Sequence, residues 1–142
     1  MKRHAALVSL SRDHHHVLVI AQQLRRATTE TTTDIAGVFL AAWESEEKQH
    51  FRLEEELLLP AYAEHGDPGH PTVMRMLQDH MLIRRDATRL ANEPSLELLH
   101  ELGSRLADHV HLEERELFPL IEETIPEPEL EALGERLRAT TS

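Results

Sequence analysis

One phrase of eleven residues occurs twice in the chain, as HFRLEEELLLP at 50–60 and as HVHLEERELFP at 109–119. The histidine, the first leucine, the glutamate pair, a second leucine and the closing proline match in register. A weaker pair, DHHHVLVIAQQL at 13–24 and DHMLIRRDATRL at 79–90, precedes these phrases in the same order. Two matches in the same order predict two helical hairpins that are related by an approximate repeat.

The chain as a whole favours helix and gives almost no strand signal. It has five glycines, seven prolines and few β-branched runs, which indicates long helices separated by breakers. Caps and breakers predict helices from Ser9 or Ser11 to about Ala27, from Thr33 or Asp34 to about His65, from Pro71 to about Leu90, and from the cap Ser95 to about residue 124. Pro60 and Pro119 are expected to kink or locally break the second and fourth helices.

Four helices of this length with short connections predict an all-α fold. The simplest packing is an up-down-up-down antiparallel four-helix bundle with a short C-terminal helix. The composition does not shift along the chain, so we expect a single domain over 1–142. The bundle would occupy about 9–124, and the C-terminal tail would occupy 125–142.

Four of the 11 histidines lie on the apolar stripes of these helices, as counting three, four and seven residues away shows. They are His14, His50, His80 and His109. Glu54 and Glu113 follow the second-helix and fourth-helix histidines by four residues, so they share the same inward face. A core with four imidazoles and two carboxylates is costly, since a buried unpaired carboxylate loses several kcal/mol of hydration. A bound cation would offset that cost.

The donor set narrows the choice of metal. The chain has no cysteine, so any metal must be held by histidine and carboxylate groups. Six such donors are too many for one tetrahedral zinc ion, and they suit a dinuclear iron centre between facing helices. The predicted ligands of two iron ions are His14, His50, Glu54, His80, His109 and Glu113.

Some positions leave alternatives open. His15 replaces His14 as a ligand if the phase of the first helix is rotated. Glu114 can take the place of Glu113, and Glu47, three residues before the second-helix histidine, can add a ligand. The other histidines and most of the acids are expected at the surface. Asp13 and Asp79 each precede a proposed ligand and are candidates to hydrogen-bond the histidines.

The charge balance excludes some classes of function. Lys and Arg number 15 against 26 Asp and Glu, for a net charge of −11, which argues against binding to nucleic acid or to an anionic membrane surface. No run of about 18 apolar residues is present to span a bilayer. The N-terminus does not resemble a secretory signal, so we expect a cytoplasmic protein.

These residues resemble the hemerythrin-like family of cation-binding helical bundles over about residues 9–124. The specific part is the order Asp-His, His-x-x-x-Glu, Asp-His, His-x-x-x-Glu, with a proline downstream of each His-x-x-x-Glu phrase. The resemblance implies a non-haem di-iron centre with an oxo or hydroxo bridge. It also implies that Glu54 and Glu113 are bridging ligands.

The chain departs from the oxygen-carrying members of that family at two positions. Arg84 stands where they have a fifth histidine, and Glu114 stands where they commonly have an aspartate. Four histidines give a more symmetric site with a vacancy for water, another carboxylate or an added ligand. This departure argues against inheriting reversible oxygen carriage.

The main hypothesis is therefore a di-iron protein that binds, senses or reacts with O₂, peroxide or nitric oxide, or that buffers iron. An oxidoreductase activity is one form of it, and a protein redox partner is compatible with it. The alternative is a regulatory or interaction module whose metal site is structural, and the simplest is a metal-free bundle with a polar core. We expect a monomer or a weak homo-oligomer.

Overall fold

In the computed structural model, residues 2–141 are described, and they are almost entirely helical, with no strand among them. The predicted domain bounds of 1–142 include Met1 and Ser142, which lie outside the described residues. No helix within 2–141 is long and apolar enough to cross a membrane. The all-α prediction is thus confirmed.

Four long helices and a fifth, shorter one follow each other along the chain. Helix α1 is Val8–Arg25, α2 is 32–63, α3 is Pro71–Asn92, α4 is 96–124 and α5 is Glu127–Thr141. Single 3₁₀ turns, Ala5–Leu7 and Thr29–Thr31, precede α1 and α2. The tail prediction of one more small helix is confirmed, because α5 comprises 15 residues.

The start of α1 differs from the sequence prediction. The helix begins at Val8, after a 3₁₀ turn whose Ala6 N–H donates to the His4 side chain, rather than at a Ser9 or Ser11 cap. The predicted cap of α4 is present, since the Ser95 hydroxyl accepts from the Leu98 N–H at 3.2 Å.

Helices α2 and α4 pass through their prolines without ending. Helix α2 is made of Thr32–Ala42, Trp43–Glu47, Lys48–Leu53, Glu54–Leu58 and Leu59–Ala63, and α4 of Leu96–Leu112, Glu113–Leu117 and Phe118–Thr124. The segments Trp43–Glu47, Glu54–Leu58 and Glu113–Leu117 are π turns. The Leu59 N–H, for example, donates to the carbonyl five residues back instead of four.

The π turns explain why the predicted breaks are absent. In a regular helix the proline ring collides with the carbonyl four residues back and removes one hydrogen bond. A π turn before Pro60 and another before Pro119 widen the backbone where that collision would occur. Such turns often lie at functional sites, and these two begin at Glu54 and Glu113.

The four long helices pack in a way that is compatible with a four-helix bundle. Helix α4 packs along α1 and α3, and α2 contacts the same two helices. Helix α5 packs on the Ala5–Leu7 turn and on the π turn Glu54–Leu58.

The apolar core is divided into two clusters. One contains Leu7, Leu10, Leu53, Tyr62, Met76, Phe118 and the inner face of α5; the other contains Val17, Leu24, Phe39, Trp43, Ile83, Leu99 and Leu106. The inward-facing histidines lie along the helices between members of the two clusters. A polar layer therefore crosses the middle of the core.

Gly103 of α4 gives a test of the packing between α1 and α4. A Cβ added there would lie 2.7 Å from the Ala21 carbonyl oxygen and 2.7 Å from Arg25 Cγ. Gly103→Ala should therefore lower the free energy of unfolding by about 1 to 3 kcal/mol in urea denaturation. The control Gly37→Ala meets nothing within 4 Å, and it should raise that free energy by about 0.5 to 1 kcal/mol because alanine is the better helix former. Two changes of the same sign would contradict the packing.

Candidate metal centre

The structure brings all six predicted ligands together in the polar layer. The four histidines are 2% to 4% exposed, and Glu54 and Glu113 are 0% exposed. Each long helix supplies one histidine, and α2 and α4 each add one glutamate. The glutamates lie one turn after a histidine on the same face, as the spacing predicted.

The Nε2 atoms of the four histidines face the two carboxylates. His14 Nε2 lies 2.8 Å from Glu113 Oε1, and His50 Nε2 lies 3.1 Å from Glu54 Oε2. His80 Nε2 lies 3.1 Å from Glu54 Oε1, and His109 Nε2 lies 3.0 Å from Glu113 Oε2. Six donors from four helices thus converge on one point of the core.

These donors form two groups that share both carboxylates. One group is His14, His50, Glu54 and Glu113; the other is Glu54, His80, His109 and Glu113. Within each group, one donor atom from every residue lies within 4.8 Å of the others. Two neighbouring cations with two common carboxylates fit this arrangement.

Several of the converging atoms are buried and lack a hydrogen bond. Among the described residues, no hydrogen-bond partner exists for Glu54 Oε1, His80 Nε2, His109 Nε2 and Glu113 Oε2. His80 Nε2 lies 3.1 Å from Glu54 Oε1, and His109 Nε2 lies 3.0 Å from Glu113 Oε2. The angles at these atoms do not allow hydrogen bonds. Buried polar atoms are nearly always paired, so these four fit a bound cation better than a metal-free core.

The Nδ1 atom of every histidine contacts a carboxylate on the opposite side of the ring. The four pairs are His14 with Glu114 at 2.6 Å, His50 with Asp13 at 3.1 Å, His80 with Glu55 at 2.6 Å and His109 with Asp79 at 3.2 Å. Carboxylates in this position are typical partners of metal-binding histidines, because they fix the tautomer and aim the other nitrogen.

Sequence reasoning identified only half of these partners. Asp13 and Asp79 were expected to hydrogen-bond the histidines, and they do. The sequence predicts Glu55 at the solvated surface, and it predicts Glu114 as a surface acid or a replacement ligand. The signal for both was the repeat itself, since the glutamate pairs 54–55 and 113–114 coincide in register.

A phenylalanine and an arginine complete the surroundings of two histidines in the same way. The Phe51 ring stacks on His80 at 3.8 Å, and Arg84 Nη2 donates to Glu55 at 3.1 Å with its guanidinium 5.8 Å from that ring. At the matching positions of the repeat, Phe118 stacks on His14 at 5.5 Å. There Arg3 lies over Phe118 and donates to Glu114 at 3.3 Å.

Arg84 therefore has a role in this structure although it is no metal donor. Its guanidinium is linked through Glu55 to His80. The hydrogen bond with His80 holds the pKa of Glu55 below its usual value against the opposing effect of burial, and the hydrogen bond from Arg84 lowers the pKa further. A charged carboxylate is thereby kept on the His80 ring.

The three alternatives from the sequence differ in position. His15 is exposed whereas His14 is buried. Glu114 contacts the outer nitrogen of His14, whereas Glu113 lies among the converging atoms. Glu47 is buried but belongs to neither group of the centre; it lies with His16 and Glu46 instead.

Electrostatics in the metal-free centre favour imidazolium–carboxylate pairs. Burial lowers the pKa of His14, but the hydrogen bonds to Glu113 and Glu114 outweigh it and raise the pKa to about 9. Burial likewise opposes the charge on His50, yet the charge of Glu54 and the Asp13 hydrogen bond raise its pKa well above the usual value. The pKa values of His80 and His109 are raised in the same way.

The carboxylate of Glu113 is the counterpart of these cations. Burial alone would raise its pKa, but the charge of His109 and the hydrogen bonds around it hold the pKa well below the usual value. Metal binding must displace the imidazole protons, so loading releases protons.

A cleft of about 210 Å³ lies beside the centre. Its lining includes Asp13, Glu46, Glu47, His50 and Thr140. Both His50 and Asp13, the partner of its Nδ1 atom, border this cleft. The cleft therefore touches one histidine of the centre.

Comparison with known proteins agrees with this geometry. The family model described as the hemerythrin HHE cation binding domain matches residues 6–121. The chain matches no curated protein and no solved structure.

The raised histidine pKa values predict how the stability of the metal-free protein depends on pH. A histidine whose pKa is higher in the folded than in the unfolded protein contributes its full stabilisation below the unfolded pKa of 6.5. For His14 this stabilisation is lost as the pH rises through about 9. Glu113 acts in the opposite sense, because its lowered pKa gives stability above 4.5 that is lost at lower pH. The metal-free protein should therefore be most stable between about pH 4.5 and 6.5.

Thermal unfolding followed by circular dichroism in the presence of a chelator checks this. The Tm is expected to fall by on the order of 5 to 10 °C between pH 6.5 and 9. The iron-loaded protein serves as the control, since its imidazoles carry no titrating Nε2 proton in this range. A Tm of the metal-free protein that rises over the same interval would show that the four rings are neutral.

Proposed function

The chain belongs to the hemerythrin HHE cation-binding domain family, and on that premise we propose that it is a non-haem di-iron protein. It binds, senses or reacts with O₂, peroxide or nitric oxide, or it buffers iron. The proposed ligands are, for one ion, His14 and His50; for the other, His80 and His109; and for both, Glu54 and Glu113.

The observation that carries this proposal is the set of buried, unpartnered atoms among the converging donors. Each ion buried in a core loses several kcal/mol of hydration, and the loss must be offset by pairing. Cations at the shared position would satisfy every one of these atoms. Six nitrogen and oxygen donors without sulfur exceed what one zinc ion uses and suit two iron ions.

The residues around the ligands set the conditions for the chemistry. Bound iron supplies one-electron exchange with a small oxidant or with nitric oxide. The carboxylates on the four Nδ1 atoms orient the rings and strengthen Nε2 as a donor. Phe51 and Phe118 cover two of the rings, which keeps water from them.

The same proposal includes the arrangement and setting of the protein. The short connections between α1, α2, α3 and α4 support an up-down-up-down antiparallel bundle. We propose a cytoplasmic monomer or weak homo-oligomer that binds a small diatomic or peroxide ligand and exchanges electrons with a separate protein. The net charge of −11 supports the absence of nucleic-acid and membrane partners.

A second candidate is a regulatory module in which the metal is structural. Helix α5 packs on the π turn Glu54–Leu58, which carries one of the shared carboxylates. A change in the metal occupancy of the centre would therefore alter the packing of α5. Exposing the reduced protein to O₂ and recording its optical spectrum separates the candidates. A charge-transfer band that develops and then decays supports redox chemistry. An unchanged spectrum together with a metal-dependent melting temperature supports the regulatory module.

Metal content tests the ligand set directly. The wild-type protein loaded anaerobically with Fe²⁺ should retain two iron ions per chain, and His109→Ala should retain one or fewer. His111→Ala is the matched control on the same helix, because that side chain is exposed, and it should retain both. Fewer than one iron ion per wild-type chain after purification would contradict the proposal.

Two adjacent glutamates test the carboxylates on Nδ1. Glu55→Ala removes the partner of His80 and should weaken iron binding by about tenfold or more. Glu56→Ala removes an exposed carboxylate whose one hydrogen bond within residues 2–141 comes from Arg52, at 3.4 Å, and should leave the affinity unchanged. Competition with a chromophoric chelator measures both, and equal affinities would show that the His80–Glu55 contact does not support the ligand.

A further inference from the structure

A third group of metal-binding side chains lies outside the centre. It consists of His16 on α1 and of Glu46 and Glu47 in the π turn Trp43–Glu47 of α2. One donor atom from each lies within 4.8 Å of the others, and His16 Nε2 lies 3.5 Å from Glu46 Oε2. The group thus offers one imidazole and two carboxylates from two helices.

Glu47 distinguishes this group from an ordinary acidic surface. The residue is only 6% exposed, and within residues 2–141 its Oε2 is buried without a hydrogen-bond partner. His16 and Glu46 have half-exposed side chains, at 53% and 59%. A buried carboxylate oxygen without a donor is costly, and a cation held between these three side chains would satisfy it.

Two members of the group border the cleft beside the centre. Glu46 and Glu47 line that cleft together with Asp13 and His50. An ion at this point would have carboxylates on both sides of its path. It would leave His16 and Glu46 at the solvent side and reach the ring of a proposed ligand at the other end.

We propose that His16, Glu46 and Glu47 form a third, weaker divalent-cation site, and that Fe²⁺ passes through it when the centre is loaded. Three nitrogen and oxygen donors with the remaining positions open to water suit Fe²⁺ or Mn²⁺. The open positions make the ion exchangeable, as a loading site requires. The loading role rests on the proposed di-iron function, whereas the site itself rests only on its three side chains.

The test uses the full-length, metal-free protein and two measurements. An anaerobic Fe²⁺ titration counts tight and weak equivalents, and stopped-flow mixing with Fe²⁺ gives the rate at which the tight sites fill. Mn²⁺ followed by electron paramagnetic resonance reports the weak site independently of iron chemistry. The variants are Glu47→Gln, which keeps the shape of the side chain, and His16→Gln, which alters an exposed ring.

Each variant has a matched control. Glu44→Gln lies in the same π turn but is exposed and contacts Lys48 at 3.1 Å. His15→Gln changes the exposed neighbour of His16. Circular dichroism of each variant checks that it is folded.

The wild-type protein should bind two tight equivalents and one weak equivalent. Glu47→Gln and His16→Gln should lose the weak equivalent, keep both tight ones and fill them about tenfold more slowly, since a carboxylate-lined path raises the local cation concentration. Both controls should behave as the wild type.

The outcomes distinguish this inference from the proposed function. Absence of the two tight equivalents in the wild type would contradict the di-iron function. Two tight equivalents without a weak third, or a third that survives both variants, would overturn the new site. Loss of the third equivalent with an unchanged filling rate would overturn its loading role.

Discussion

The burial of two glutamates in the middle of an apolar core is the constraint on which the structure depends. Glu54 and Glu113 are fully buried, and a buried carboxylate is stable only when opposite charge lies against it. Four imidazoles supply that charge as protons in the metal-free protein, and cations would supply it in the loaded one. Because every long helix contributes one of these rings, the pairing that compensates the carboxylates also fixes the helices relative to one another.

The contacts on the outer nitrogens extend this pairing into a closed ring around the core. The acids of α1 and α3 bond the histidines of α2 and α4, within each hairpin; the second glutamates of α2 and α4 bond the histidines of α3 and α1, between the hairpins. Each of the four helices is thus linked to both neighbours by a hydrogen bond to one of the proposed ligands. A change at the centre would be transmitted along all four links, and through the π turn of α2 to helix α5.

The two prolines in α2 and α4 follow π turns that also carry the shared glutamates. The π turns Glu54–Leu58 and Glu113–Leu117 each begin at a shared glutamate and end shortly before a proline, so the proline is accommodated without a break in the helix. The helices therefore continue beyond the centre, and their ends bury Tyr62 and Ile121 in the cluster that closes one side of the polar layer. The same π turns therefore place the shared glutamates and let the helices continue, as is typical of π turns at functional sites.

The sequence by itself determined the helical class, the repeat and the six inward donors, because helix periodicity decides which side chains share a face. It also indicated Asp13 and Asp79, which directly precede the proposed ligands His14 and His80. Only the tertiary structure decided that Glu55 and Glu114 bond the histidines of the opposite hairpin, and that Glu47 lies with His16. Those contacts join residues 25 to 100 positions apart, or depend on π turns that rotate one helix segment against the next, and local periodicity contains neither distance nor rotation.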